Sequence, residues 1–399
     1  MKAVILAAGE GTRLRPFTVS EPKVMISVAN KPILEYVVES LVENGIKDIV
    51  MVVGYRKESI MSYFGDGDFL GANIEYVTQE KQPSQGGTAH ALYQAMGRVP
   101  EDFIVLPGDN VISKKTVSEF LENRENESLL ITRSDSPSKY GVVTLDDGDL
   151  ECVVEKPEKS PSHLISTGIY SFTPDVFDYI NEAMGERRYD LTSVVQTLKE
   201  DRPIKCIITD STWIDAVYPW DLLDVNATAL HDVRKSINGV VEENVTIKGN
   251  VMVGEGTIIR AGSYIEGPAI IGEGCDIGPN ACILPSTSIN DDSSIEPFSV
   301  VKNSLIMSGV KVGANSNIEN SVIGDGVKLG SKFSNHCDDA DIKSNIGHYE
   351  VEDIGCMIAE DTVVGSGVTC EAGKIIGADC RIGSGTVIRK NIESGSRVM

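Results

Sequence analysis

The sequence predicts two domains of different classes, an α/β domain with a mostly parallel sheet followed by a parallel β-helix. Before residue 235, short apolar runs typical of buried strands alternate with helix-like segments, which is the pattern of an α/β sheet. After Val241, an aliphatic residue recurs every six positions, and this period is typical of β-helices. We therefore expect one domain at residues 1–235 and a second at residues 236–399.

The elements of the first domain follow from the position and length of its apolar runs. Strands are predicted at residues 3–7, 49–53, 103–106 and 129–132, and helices at residues 32–44, 88–96 and 116–123. In a sheet built this way, ligands gather at the carboxyl ends of the strands. A binding site is therefore expected in the loops that follow residues 7 and 106.

The second domain is predicted from inward-facing aliphatic residues that stack from coil to coil. A β-sandwich would instead show alternation with a period of two and turns roughly every 8–12 residues. The irregular span at residues 331–353 is predicted to be an extruded loop. The repeating positions are Val241, Ile247, Val253, Ile259, Ile265, Ile271, Ile277, Ile283, Ile289, Ile295 and Val301, followed later by Ile358, Val364, Cys370, Ile376, Ile382 and Ile388.

Composition excludes several classes of partner. The chain has 399 residues and a net charge of -23, so nucleic acid and anionic membranes would be repelled. No apolar stretch approaches about 18 residues and the start lacks a basic n-region with a long apolar h-region, so we expect no membrane span and no signal peptide. The eight cysteines form no C-x-x-C pair, which favours reduced thiols in the cytoplasm.

The loop after the first strand has the composition of a phosphate site. Gly9 and Gly11 allow main-chain N–H groups to approach an anion, while Arg13 and Lys23 supply positive charge. A dinucleotide-binding loop would need glycine or alanine where this chain has Leu14, and the P-loop pattern is absent. The loop is interpreted as a nucleoside-triphosphate site, the alternative being a structural turn with solvated charges.

Ordered motifs over more than half the chain resemble those of the sugar-1-phosphate nucleotidylyltransferases. The resemblance implies a Rossmann-like nucleotidyltransferase domain. The hexad repeat from residue 241 onward resembles left-handed acyltransferase β-helices, so a left-handed β-helix of hexapeptide repeats is expected. The matching motifs are AAGEGTRLRP, EPKVMISVANKP, QGGTAHAL, LPGDN, YGVV, VEKP, TGIYSF and WIDAVYPWDLL.

The resemblance implies a reaction in which a sugar 1-phosphate attacks the α-phosphorus of an NTP and pyrophosphate leaves. Neutralising two anions requires positive charge and Mg²⁺, which prefers carboxylate and phosphate oxygens. By the family motifs, Asp109 and Asp215 would bind Mg²⁺, Arg13 would neutralise the triphosphate, and Lys23 would contact the reacting or departing phosphate. As isolated residues, the two carboxylates could equally be a helix cap and a turn former.

The family motifs also assign residues to the two substrates. Lys156 would bind the sugar phosphate and Glu155 would accept hydrogen bonds from sugar hydroxyls, the alternative being an exposed ion pair. His90 is interpreted as a packing residue. The other nucleotide-binding positions are Leu6, Ala8, Gly9, Gly11, Thr12, Gln79, Gln85, Gly87 and Thr88, and the other sugar-phosphate-binding positions are Gly141, Ser166 and Thr167.

The motifs leave the particular substrates open. UTP or dTTP is favoured, with glucose 1-phosphate or N-acetylglucosamine 1-phosphate, and GTP with mannose 1-phosphate is the alternative. Ser166 stands where many relatives have an asparagine that contacts the sugar, so that contact is not assured. A non-catalytic regulatory subunit of the same architecture is a rival hypothesis. The complete set of charged motif residues favours the enzyme.

The second domain resembles that of bifunctional uridylyltransferase/acetyltransferases, but its acetyltransferase residues are altered. Ala314 and Asn317 stand where those relatives carry a catalytic histidine and a tyrosine. The missing imidazole was the one group at this site with a suitable pKa to accept the proton from the amine. His336 or His348 could substitute from the irregular span, yet we expect no acetyl transfer. The β-helix is expected to form a homotrimer or a higher homo-oligomer.

Overall fold

The structure is a computed structural model that describes residues 1–80, 86–344 and 347–399. The chain forms two compact units, and both are discontinuous in sequence. Unit 1 contains Met1–Glu10, Pro22–Met25 and Ile33–Ile214, and unit 2 contains Gly11–Glu21, Ile26–Pro32 and Asp215–Met399. The domain boundary near residue 235 stays a prediction, although the first β-helix strand begins at Ser236.

A nine-stranded sheet forms the centre of unit 1. The nine strands are β1 Lys2–Ala7, β2 Asp48–Val53, β3 Asn73–Thr78, β4 Phe103–Pro107, β5 Ser128–Arg133, β6 Gly141–Asp146, β7 Asp149–Glu155, β8 Leu164–Phe172 and β9 Lys205–Ile208. Their order across the sheet is β3-β2-β1-β4-β8-β5-β9-β7-β6. Short pairs outside this sheet join Ser27–Val28 to Lys31–Pro32 and Asn110–Ile112 to Trp213–Asp215.

The four predicted strands are confirmed, but the strand directions are mixed where a mostly parallel sheet was expected. β1, β2, β3 and β4 are mutually parallel, as strands joined by helices should be. β8 runs antiparallel to both β4 and β5, and β6 and β7 form an antiparallel hairpin. The reason is connectivity, since β6, β7 and β8 follow one another without an intervening α-helix and need no crossover.

Helices cover both faces of the sheet. Alternation along β1 separates the two cores, because Val4 packs in one apolar cluster and Ala3 and Ile5 pack in the other. The predicted helices are confirmed with shifted ends. The helices are α1 Ile33–Glu43, α2 Lys57–Phe64, α3 Thr88–Tyr93, α4 Lys114–Asn123, α5 Val176–Gly185, α6 Leu191–Leu198 and, in unit 2, α7 Asp221–His231.

The β-helix of unit 2 consists of three parallel sheets, and each hexad supplies one short strand. The predicted inward positions form one continuous buried cluster from Val253 to Ile388. The first sheet contains Ser236–Ile237, Val251–Val253, Ala269–Ile271, Thr287–Ile289, Leu305–Ile306, Val322–Ile323, Cys356–Ile358 and Lys374–Ile376. The second sheet contains Val240–Val241, Ile258–Ile259, Asp276–Ile277, Ser294–Ile295, Lys311–Val312, Lys328–Leu329, Val363–Val364, Arg381–Ile382 and Arg397–Val398. The third sheet contains Thr246–Lys248, Tyr264–Glu266, Cys282–Ile283, Val300–Lys302, Asn317–Glu319, Ser334–Asn335, Thr369–Cys370 and Val387–Ile388.

The irregular span is not a loop but a β-hairpin, which we call the 338–354 hairpin. Its strands are Asp338–Ser344 and Gly347–Ile354, and they pair antiparallel. The β-helix continues before it, because Ser334–Asn335 still pairs with Thr369–Cys370. Asn335 occupies an inward position that aliphatic residues fill elsewhere, which explains why the apolar period disappears there.

Among the described residues, no helix is long and apolar enough to cross a membrane.

Candidate functional site

The first part of the candidate nucleotide loop lies in unit 1, at the carboxyl end of β1. The Leu6 carbonyl accepts a hydrogen bond of 2.9 Å from the Gly108 N–H, which joins this loop to the LPGDN motif. A Cβ at Gly54 would lie 2.8 Å from the Ala8 carbonyl oxygen, so only glycine fits there. Gly54 is not among the predicted site residues, although it directly follows the buried strand β2. A Cβ at Gly9 would meet nothing within 4 Å, and the space beside this backbone is open.

The second part of the loop belongs to unit 2. Gly11 adopts a left-handed conformation with φ of 67°, whereas Gly9 has no such φ, so only the second glycine is needed for its backbone freedom. A 3₁₀ turn follows at Thr12–Leu14 and places Arg13 half-buried. The Thr18 hydroxyl donates a hydrogen bond of 2.9 Å to the Gly11 carbonyl. A main-chain hydrogen bond thus holds the first part of the loop, and a side-chain hydroxyl holds the second.

Lys23 and Asp109 are brought together inside unit 1. The Lys23 Nζ lies 2.6 Å from the Asp109 Oδ2, and only 7% of Lys23 is exposed. A lysine this buried requires a charged partner, so a solvated surface charge is the wrong interpretation. Asp109 is not the cap of α4 either, because Ser113 accepts the capping hydrogen bond from the Thr116 N–H.

Asn110 follows Asp109 and carries an unusual oxygen. Its side chain is 4% exposed, and its Oδ1 is buried without a hydrogen-bond partner in the described part of the chain. A buried amide oxygen without a partner is costly, which marks the position as one that a ligand can complete. Within the described ranges, no cluster of three or more His, Cys, Asp and Glu side chains could hold a metal ion.

Asp215 ends the strand Trp213–Asp215, is half-buried and belongs to unit 2, as Arg13 does. The turn after it is stabilised by Asp221, whose Oδ2 accepts hydrogen bonds of 2.8 Å from the N–H groups of Val217 and Tyr218. The main-chain bonds of this turn are therefore made by Asp221. Asp109 belongs to unit 1, so shared metal binding by the two carboxylates stays a prediction.

The predicted base-recognition residues have contacts that sequence analysis did not foresee. The Gln79 Nε2 lies 3.0 Å from the His90 Nδ1, so His90 orients this amide and is more than a packing residue. A Cβ at Gly87 would lie 2.1 Å from the Tyr189 carbonyl, and the Thr88 hydroxyl accepts from the Leu191 N–H at 2.9 Å. These two positions therefore pack against the start of α6. Gln85 lies outside the described residues.

Glu155 and Lys156 form an exposed ion pair at the end of β7, with Nζ and Oε1 2.6 Å apart. Thr192 donates to the second carboxylate oxygen of Glu155 at 3.1 Å, so α6 also holds this carboxylate. Thr192 was missed because nothing in its local sequence marks it. A Cβ at Gly141 would lie 3.4 Å from the same oxygen, which is an ordinary van der Waals contact.

Ser166 and Thr167 differ in their access to a ligand. The Ser166 Oγ lies 3.2 Å from the Tyr170 hydroxyl. Burial raises the pKa of Tyr170 to about 12, so this phenol stays protonated and can donate. Thr167 is only 2% exposed, and its hydroxyl donates to the Leu130 carbonyl at 2.7 Å. Its environment favours a structural role in β8 over the predicted contact with the sugar phosphate.

The residues considered for acetyl transfer lie on the β-helix. The Ala314 N–H donates to the Glu296 carboxylate at 2.9 Å, and Asn317 is exposed at the start of its strand. His336 is exposed, with its N–H bound to the Cys370 carbonyl. His348 is also exposed, and its Nδ1 lies 3.8 Å from Asp341 on the opposite strand of the 338–354 hairpin.

Unit 1 combines an α/β sheet whose first strand runs into a glycine turn with a buried Lys–Asp pair, and both features suit a nucleotide-binding domain. Residues 2–232 match the Nucleotidyl transferase family, and the chain belongs to this family. Residues 265–346 match the family described as GMPPB C-terminal domain.

Three similar proteins extend this result. The chain is 36% identical to "Bifunctional protein GlmU" of Methanococcus vannielii over 413 residues, covering 100% of this chain and 97% of that protein. It is 34% identical to a bifunctional sugar-1-phosphate nucleotidylyltransferase/acetyltransferase of Sulfurisphaera tokodaii, covering 99% of each. A structure from Bacillus anthracis, assigned as a glucose-1-phosphate thymidylyltransferase, matches 59% of this chain and 97% of its own, with 28% identity and a TM-score of 0.54.

Proposed function

We propose that this protein is a sugar-1-phosphate nucleotidyltransferase that joins an NTP to a sugar 1-phosphate and releases pyrophosphate. UTP or dTTP is the proposed nucleotide, and glucose 1-phosphate or N-acetylglucosamine 1-phosphate the proposed sugar. The single observation that carries the proposal is the buried pairing of Lys23 with Asp109, in a chain of the Nucleotidyl transferase family. A non-catalytic subunit would not require a buried ammonium beside an acidic residue that follows a strand of the sheet.

The positive charges neutralise the two anions that must approach each other. Arg13 has a planar guanidinium that can bind two phosphate oxygens, and it follows the left-handed Gly11. The Lys23 ammonium has three N–H groups, so it can donate to a phosphate oxygen while it stays near Asp109. These residues position the reacting groups in line and do not form a covalent intermediate.

The donor atoms suit Mg²⁺. Asp109 and Asp215 would hold the ion by carboxylate oxygens, and the buried Asn110 Oδ1, which has no hydrogen-bond partner among the described residues, would add a hard oxygen. One or two carboxylates suffice, because Mg²⁺ keeps several waters and binds substrate phosphates. When bound, Mg²⁺ would stabilise the negative charge that develops on the phosphate oxygens.

The two substrates would be recognised by separate groups of residues in unit 1. Lys156 would donate to the phosphate of the sugar 1-phosphate, and Glu155 would accept from sugar hydroxyls. Ser166, which can accept from Tyr170, has a hydroxyl that can contact the sugar. Gln79 would bind the base with its amide oriented by His90, together with Gln85, Gly87 and Thr88.

A substrate matrix tests the proposal. Purified protein with Mg²⁺ is incubated with UTP, dTTP or GTP and with glucose, N-acetylglucosamine or mannose 1-phosphate, and pyrophosphate release is measured. We expect release above the enzyme-free background with a pyrimidine nucleotide and one of the first two sugars, and no release with EDTA. An absence of pyrophosphate in every combination would favour the regulatory subunit instead.

The β-helix would serve assembly, and we propose a homotrimer in the cytoplasm. Three flat faces favour packing about a threefold axis. One face is already covered within unit 2, since Asn226 of α7 contacts the Ser286 carbonyl at 3.2 Å and the Ser288 hydroxyl at 2.7 Å. Light scattering at micromolar concentration should give three times the chain mass, and a monomer would contradict this proposal.

A second activity, acetylation of glucosamine 1-phosphate, is suggested by the names of the bifunctional relatives. We consider it doubtful in this chain, because Ala314 and Asn317 supply neither a general base nor a phenol. His336 and His348 are both exposed, and the Nδ1 of His348 lies 3.8 Å from Asp341.

A further inference from the structure

Three aromatic rings of unit 2 meet at the turn that follows Asp215. Tyr218 and Trp220 stack with ring centroids 5.0 Å apart and an interplanar angle of 19°. The Tyr349 ring lies 4.4 Å from the Tyr218 centroid and 5.4 Å from that of Trp220. Two of these residues come from the WIDAVYPW motif, whereas Tyr349 is more than a hundred residues away in the 338–354 hairpin.

The three aromatic rings pack against one another, and a side-chain hydrogen bond joins Tyr218 to Tyr349. Trp220 is only 9% exposed, although it lies in a turn, and the Tyr349 ring contributes to its burial. Burial first, and then a hydrogen bond with Tyr349, raise the pKa of Tyr218 to about 12. Arg13 of the nucleotide loop is close enough to Tyr218 to interact with it electrostatically. The cluster therefore lies beside two residues proposed to act in catalysis, Arg13 and Asp215.

The hairpin that carries Tyr349 is firmly attached to the β-helix. An isolated two-stranded hairpin is at best marginally stable in water, so its attachments decide its position. Ile342 pairs with Tyr349 across the hairpin, which places both side chains on one face, and Ile342 is 1% exposed. A Cβ at Gly373 of the β-helix would lie 2.5 Å from the Ala340 Cβ, so the hairpin packs closely there.

Polar contacts anchor both strands of the hairpin. The Asn391 Nδ2 donates to the Lys343 carbonyl at 3.0 Å, and the Asn320 Nδ2 donates to the Asp353 carbonyl at 2.6 Å. The hairpin is thus attached at several places to β-helix coils. A residue on such a support can hold a neighbouring turn in one conformation.

We propose that Tyr349 is a positioning residue, through which the 338–354 hairpin holds the Tyr218–Trp220 turn, and with it Asp215, in the conformation used for nucleotidyl transfer. The proposal rests on the proposed function, because it assigns Asp215 a role in that reaction. It gives the β-helix a direct part in the first reaction, beyond assembly. Tyr349 itself is not proposed to touch either substrate.

The test compares Tyr349→Ala with Tyr349→Phe, which keeps the ring and loses only the hydroxyl. We expect Tyr349→Ala to lower kcat by about tenfold or more, within the about 100-fold that a displacement of 1 Å can cost. The Mg²⁺ concentration for half-maximal rate should rise in the same variant, since Asp215 is a proposed metal ligand. Tyr349→Phe should recover most of both. If Tyr349→Ala does not fold, Tyr349→Leu takes its place with the same expectation.

Glu350→Ala is the matched control, because Glu350 is an exposed neighbour on the same strand. It should retain wild-type kinetics, and an equal loss in this variant would show that the hairpin acts only through general stability. Wild-type kcat and Mg²⁺ dependence in folded Tyr349→Ala would overturn the proposal while leaving the proposed function intact.

Tryptophan emission gives a readout that does not depend on activity. Trp220 is one of two tryptophans in the chain, so loss of the Tyr349 ring should shift or intensify the emission of folded protein. Unchanged emission in Tyr349→Ala would contradict the contact between the Tyr349 and Trp220 rings. An inactive wild type whose emission still responds to Tyr349→Ala would contradict the proposed function and, with it, the catalytic part of this inference.

Discussion

The Lys23 ammonium lies 2.6 Å from the Asp109 carboxylate, across 86 residues of sequence. The lysine side chain is 9% exposed and the aspartate side chain 32%, so the pair is buried on one side and open on the other. Removing one member of such a pair leaves the other charge poorly solvated. Substitutions that keep the shape and hydrogen-bonding capacity of the carboxylate are therefore the informative ones.

Asp109→Asn should lower turnover by about two or more orders of magnitude, because a neutral amide is a weak ligand for Mg²⁺. The amide oxygen can still accept from Lys23, so the fold should be retained. Pyrophosphate release measures the effect, with circular dichroism as a check of folding. Asp178→Asn, on the exposed side of α5, is the control and should be fully active. Normal turnover in Asp109→Asn would remove Asp109 from the mechanism.

Lys156→Ala should weaken the use of sugar 1-phosphate by roughly 2–4 kcal/mol and leave NTP binding nearly unaltered. The substitution removes a charge-assisted contact and also leaves Glu155 without its ion-pair partner. Steady-state kinetics with varied sugar phosphate and calorimetric titration with NTP alone separate the two effects. Lys159→Ala, an exposed neighbour, should behave as wild type. A large loss of NTP binding in Lys156→Ala would assign this lysine to the other substrate.

Acetyl-coenzyme A with glucosamine 1-phosphate should release no free thiol above background. The reason is the absence of an imidazole at position 314, where the chain has alanine. A thiol-reactive dye measures the reaction, and boiled protein is the reference. Thiol release that disappears in His336→Ala would instead identify a relocated base.

Glu127→Gln should be more stabilising at neutral pH than near pH 4.5. The Glu127 carboxylate is 4% exposed and receives hydrogen bonds from Thr173 and Arg202, while its Oε2 is buried without a partner in the described structure. Burial is the largest influence and raises the pKa of Glu127 above its ordinary value of 4.5. The folded state therefore binds the proton more tightly than the unfolded state does.

With a raised pKa, the wild type gains stability as the pH falls through the folded-state pKa toward 4.5, and the gain is complete below that value. The variant lacks this titration. Thermal unfolding of both proteins across this range should show the variant's advantage shrinking as the pH falls. Glu151→Gln, at an exposed position of β7, should show no such trend. A constant difference between Glu127→Gln and wild type would contradict the assignment.

Local pattern was sufficient for the β-helix, because each hexad meets its neighbours at a fixed distance along the chain. The inward aliphatic residues from Val253 to Ile388 are buried as predicted. The pattern failed where a hexad carries Asn335, which bonds the Glu319 main chain in place of apolar packing. Beyond it, the 338–354 hairpin does not follow the six-residue period of the hexads, so the sequence pattern predicts a loop where the structure has two paired strands.

The order of motifs along the sequence determined the family and indicated the chemistry of the chain's charged residues, since those residues are identified by type and neighbours alone. The tertiary structure decided which of them meet. The pairing of Lys23 with Asp109, of Gln79 with His90, and of Tyr349 with Tyr218 depends on how distant segments cross. The mixed strand directions in the sheet of unit 1 also depend on how distant segments pair. Periodicity fixes which face of an element is buried, whereas the partner on that face is chosen by the packing of the whole chain.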